Sequence, residues 1–252
     1  MRKAFAALLL GIGLASFAHA QSAEDLFNAG AFAESVGAGE RQGGADGNLI
    51  AARGLLALAV KDFRAPETAP LLDRARLYCE AALAADPKSV QARLQLATTL
   101  GMMGRRASIK DAMTAGYAKR GRAVIDEALR LSPQEPRAHA LLGGWNLEVV
   151  RRGGKLGAIL MGASTRAGIR SFERARALAP DDPAIAFQYG LALISLDAPR
   201  YAEKAGALLS AAANAAPRNA FEARIRDEAR RFAAVLATKG PMAAASAAAS
   251  FL

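Results

Sequence analysis

The chain has 252 residues, 52% of them hydrophobic, and carries 33 Lys and Arg against 23 Asp and Glu, a net charge of +10. Such an apolar share excludes an intrinsically disordered chain, and a single cysteine, Cys79, excludes an internal disulfide framework. The positive balance either favours acidic partners, polyanions or an anionic membrane surface, or serves solubility alone; no nucleic-acid partner is expected.

Met1-Arg2-Lys3 begins the sequence, an apolar run covers residues 4–17, and Ala18-His19-Ala20 precedes Gln21. A basic start, a short apolar stretch and small residues before the cut read as a secretory leader, residues 1–20, cleaved after Ala20. The run is shorter than the roughly 20 residues of a membrane span, and Gly11 and Gly13 interrupt it. The expected location is therefore periplasmic, with a helical domain over 21–237 and a flexible tail over 238–252.

Two short helices, near 23–30 and 32–36, read as a capping unit. Five glycines between Gly37 and Gly47 predict a flexible connection. A helix over 48–63 follows, with Leu49, Ala52, Leu56, Ala59 and Val60 at helical spacing. Pro66 and Pro70 bound a loop, and residues 71–85 pair back. The next helix covers 89–103 and stops at Gly104. Ile109, Met113 and Tyr117 recur every four residues, so the segment 105–120 is expected to extend the following helix backwards by about three turns.

The central unit is the most complete. It opens with Leu142, Gly143 and Trp145 on one helix and closes with Gly168, Phe172, Ala175 and Pro180 on the next. Glycine and alanine let two antiparallel helices approach, Phe172 fills the gap, and Pro180 ends the second helix. Between them, residues 150–164 hold four glycines and an apolar stretch, predicted to form a loop or short turn of helix over the hydrophobic face. Asp181-Asp182-Pro183 caps a helix over 184–195, residues 201–215 pair with it, and residues 220–237 seal the last layer.

Pro87, Pro133, Pro180 and Pro217 close successive units 46, 47 and 37 residues apart. Leu96 and Ala128 fill the equivalent slots of the second unit, and Gly190 those of the last. This pattern resembles the tetratricopeptide repeat, with two units longer than its 34-residue period. The resemblance implies an all-α right-handed superhelix of antiparallel helix pairs, two of them expanded by insertions, and a groove that binds a peptide or partner protein. Within that superfamily, Leu141 to Val149, the basic and apolar insertion, and Gly168, Phe172 and Ala175 are similar to the regulator of microtubule dynamics family.

Catalytic chemistry is hard to assemble. Without the leader His139 is the one histidine, and Cys79 lies in a different unit, so neither a nucleophile pair nor a metal cluster is expected. Gly153-Gly154-Lys155 lacks the phosphate-loop frame, and Asp86, Asp181 and Asp182 read as helix caps. The reading is non-enzymatic, with no cofactor. Basic residues gather at the insertions: Arg105, Arg106, Lys110, Lys119, Arg120 and Arg122 at one, Arg151, Arg152, Lys155, Arg166 and Arg170 at the other. Stacked repeats should merge them into one ridge, with Tyr117 and Trp145 beside it, that binds an acidic or carboxylate-ended peptide or meets an anionic surface. Trp145 reads equally as packing beneath the second insertion.

Overall fold

The computed structural model describes residues 21–251, and the expected leader, residues 1–20, lies outside the described residues. Within them the chain forms α1 (Ala23–Asn28), α2 (Phe32–Gln42), α3 (Gly44–Ala59), α4 (Thr68–Ala85), α5 (Val90–Arg106) and α6 (Ile109–Thr114). It continues with α7 (Tyr117–Leu131), α8 (Pro136–Met161), α9 (Thr165–Leu178), α10 (Pro183–Asn214) and α11 (Ala220–Phe251). The fold is an all-α helical repeat.

Side-chain caps set most of the starts. Ser22 and Asp25 form a reciprocal capping box on α1, and the hydroxyls of Ser89, Ser108 and Ser164 accept from the first turns of α5, α6 and α9. Asp182 does the same for α10, ahead of Pro183, and Asn219 accepts from the Glu222 amide. Each cap satisfies an amide that the helix itself cannot, which contributes about 1 kcal/mol.

The repeat units are α3 with α4, α5 with α7, α8 with α9, and the two arms of α10, which separate at the extended backbone of Asp197. Their close approach rests on the residues named from sequence. A Cβ on Gly143 would stand 2.5 Å from Cδ2 of Phe172, and one on Gly168 would stand 2.5 Å from Cδ2 of Leu147. Phe172 is buried and stacks on Tyr189 of the next unit, with ring centroids 4.6 Å apart and 7° between planes. One aromatic pair thus joins the interior of one unit to the next. Leu96, Ala128, Ala175 and Gly190 are likewise buried, Leu142 is partly so, and Pro180 is exposed in the turn.

Six expectations change. Most of the glycine-rich segment is helix: Gly37 and Gly39 lie in α2, and Gly47 in α3. Gly39 and Gly47 face each other so closely that a Cβ on either would come within 2.6 Å of the other's carbonyl oxygen. Only Gly43 and Gly44, both at positive φ, make the turn. Pro70 is not a loop boundary; it sits in the first turn of α4, where its missing amide costs nothing. Gly104 is similarly inside α5.

The insertions differ as well. Residues 105–120 do not extend α7 backwards, because Gly116 takes a left-handed conformation and leaves α6 as a separate short helix. Residues 150–161 continue α8, which turns at Gly154 (φ 58°) into a second arm, residues 155–161. That arm covers no hydrophobic face: Leu156, Ile159 and Leu160 are exposed.

The tail is helical too. α11 turns at Gly240 (φ 84°) and Pro241, and a second arm runs over 241–251. Ala244 and Ala248 are fully buried, and Phe251 packs edge-on against Phe187 and Phe232. An alanine-rich stretch shows little hydrophobic pattern of its own, and tertiary contact orders it.

Candidate functional site

Two surfaces stand out, an edge built by the insertions and the inner face of the superhelix. At the edge the two basic clusters do meet. The Arg152 guanidinium, at the end of the first arm of α8, donates to the carbonyls of Gly104 and Ala107 at the end of α5, the latter at 2.9 Å. Carbonyls at a helix C-terminus lack internal partners, so this arginine caps α5 with hydrogen bonds and charge. Arg151 pairs with Glu148 at 2.7 Å, and Arg105 approaches the same carboxylate at 3.8 Å.

Burial alone would raise the Glu148 carboxyl. The Arg151 hydrogen bonds and the charges of Arg105, Arg151 and Arg152 outweigh it and hold the group below its ordinary value. Arg106 donates to the Phe63 carbonyl. Arg105, Arg106, Arg151 and Arg152 therefore each have a partner within the fold, and Lys110 and Lys155 extend into solvent with no ion pair among the described residues.

The two aromatics of the ridge join helices. Trp145 is partly buried, its indole N–H donates to the Ala118 carbonyl at 2.8 Å, and the Arg122 guanidinium lies 5.0 Å above its ring. It ties α8 to α7. Tyr117 packs beside Gly104 with Cys79, Leu96 and Leu100. The end of the insertion is pinned by buried Asn146, which donates to the Leu142 carbonyl and accepts from the Ser164 amide.

The inner face is defined by the first arm of α10. Tyr189 and Gly190 point to Phe172 and Leu209, which are the repeat's own partners. On the opposite side Phe187 is covered by Phe232 and Phe251 of α11. At the other end of the chain, Phe27, Phe32 and Phe221 form a ring cluster, and Gly30 lies against Ala220. Arg224 donates to the Ala57 carbonyl and Arg64 to the Ala249 carbonyl. Helix α11 thus touches both the first and the last unit.

The family model described as Regulator of microtubule dynamics protein 1-3 matches residues 57–237, from the end of α3 through the first arm of α11. The chain belongs to this family. Its regulator-of-microtubule-dynamics core therefore includes both insertions. No curated protein matches the chain. The crystal structure of TTC0263, a thermophilic TPR protein of Thermus thermophilus, is similar over 83% of this chain and 95% of that one, at 19% identity and a TM-score of 0.58. That likeness shows the fold, a tetratricopeptide-type helical repeat.

Other features of this family member are structural. A notch of about 390 Å³ lies where α5, α8 and α10 begin, lined among others by Arg137, Asp182 and Arg218. Its two arginines are internally paired, since both approach Asp182 and Arg218 grips Glu222. The His139 ring nitrogen lies 2.9 Å from the Pro133 carbonyl. Among the described residues no His, Cys, Asp and Glu are grouped to hold a metal ion, and no helix is long and apolar enough to cross a membrane.

Sequence reasoning missed Phe187, Ala244, Ala248 and Phe251 on the inner face, and the exposed apolar residues of the insertions. The available signal for the first set was Pro241 opening a stretch with small residues at 244 and 248 and a terminal aromatic.

Proposed function

We propose that this protein is an exported, non-catalytic scaffold that holds a helical segment of a partner protein on the inner face of its superhelix. The second arm of α11 is a built-in occupant of that face. One observation carries the reading: Phe187 and Phe232 are covered by a short helix whose contacts are Ala244, Ala248 and Phe251. A surface that accommodates such a helix from its own chain has the shape and apolarity to take one from another, by the helix-in-groove mode. Exported by its leader, the chain meets that partner in the periplasm. A ridge acting by charge alone is less well supported, because Arg105, Arg106, Arg151 and Arg152 are engaged within the fold.

The test is to loosen the occupant without removing it. Ala244→Glu with Ala248→Glu buries two carboxylates without partners and should displace the arm. A synthetic peptide of residues 239–252 should then bind that variant saturably in calorimetry and leave the parent chain untouched. A correctly folded variant that ignores the peptide contradicts the reading.

A further inference from the structure

Five of the large hydrophobic side chains that the fold leaves in solvent lie on the two insertions. Ile109 and Met113 on α6 are 55% and 73% exposed, and Leu156, Ile159 and Leu160 on the second arm of α8 are 77%, 77% and 80% exposed. Isolated exposed apolar residues are ordinary on a protein surface, whereas a cluster confined to two insertions marks an interaction site. Both segments leave the fold from adjacent helix ends, fixed to each other by the Arg152 bridge from α8 to Gly104 and Ala107.

We propose that α6 and the second arm of α8 dock on an anionic lipid bilayer, with the apolar side chains entering the interface and Lys110 and Lys155 meeting the headgroups. Two features favour a bilayer over a protein groove. The apolar side chains project outward on short helices rather than line a concavity, which suits a deformable interface. Each segment also carries an exposed lysine directly beside its apolar residues, Lys110 after Ile109 and Lys155 before Leu156, and neither has an ion pair among the described residues. Long lysine stems cover apolar surface while their ammonium groups reach acidic headgroups. The one acid on α6, Asp111, is engaged by the Ser108 hydroxyl and amide-capping geometry. The glycine at 154 and that at 162, both at positive φ, bound the arm. This docking uses none of the residues assigned to the inner face.

The test is sedimentation with phosphatidylcholine vesicles, with and without phosphatidylglycerol. The parent chain is compared with Leu156→Ser, Ile159→Ser, Leu160→Ser and, separately, with Lys110→Ala, Lys155→Ala. All are purified in the same form, so any contribution of residues 1–20 is common. The serine variant should bind anionic vesicles at least tenfold more weakly. The alanine variant should lose severalfold in its preference for anionic over neutral vesicles, and both should keep the parent melting temperature. Unchanged vesicle binding by the serine variant overturns the proposal, as does a parent chain that binds neither vesicle. So does a parent that self-associates through these residues in sedimentation velocity, which would make a second copy the occupant.

Discussion

Gly143 and Gly168 show how much of the repeat depends on single atoms. Phe172 cannot yield to a Cβ at Gly143, because its ring is held against Tyr189. Gly143→Ala should therefore overpack the layer and cost about 1–3 kcal/mol, read as a lower denaturant midpoint. Cys79 makes a different point. Burial pushes its thiol up to about 12, so it should resist thiol reagents in the native chain and react on unfolding. Glu148 supplies a pH dependence. Its carboxyl is depressed in the fold, so its stabilising pairing is complete above the ordinary carboxylate value and is lost as pH falls through the depressed one. Glu148→Gln should lower the melting temperature at neutral pH, and the difference should vanish in acid.

At the scale of elements, the slots of the repeat were legible because they are local. Gly143, Gly168, Phe172 and Ala175 have fixed spacings, and each has one packing reason. The insertions were not legible to the same degree. Ile109, Met113 and Tyr117 share a helical period, yet only Tyr117 packs inward, because Gly116 breaks the helix between them. Periodicity reports a face and says nothing of what covers it. The same limit applies to Gly39 and Gly47, where composition cannot distinguish a turn from a close crossing of two helices. Gly47→Ala should accordingly destabilise the capping unit, by Cβ collision with the Gly39 carbonyl, whereas Gly44→Ala should act only through its positive φ. Equal losses in thermal melts of the two variants would mean that the α2 and α3 crossing is looser than 2.6 Å contacts require.

For the whole molecule, the ridge drawn from stacked repeats missed what Arg105, Arg106, Arg151 and Arg152 do where the two insertions adjoin. Two of them donate to backbone carbonyls and two share Glu148, so the cations build the edge while the apolar side chains remain outside. The contacts of α11 with the first unit could not be read from the chain at all. Contacts such as Arg64 with Ala249 and Phe27 with Phe221 join residues far apart in sequence, and nothing local encodes them. They make α11 both the seal of the last unit and the strap across the first.

Amide hydrogen exchange over residues 241–251 of the full chain tests this most directly. If the second arm occupies the inner face, the amides around Ala244 and Ala248 exchange slowly, together with those of the first arm of α10 beneath them. Exchange at the rate of an unstructured tail, with α10 still protected, would contradict the account and leave the inner face open.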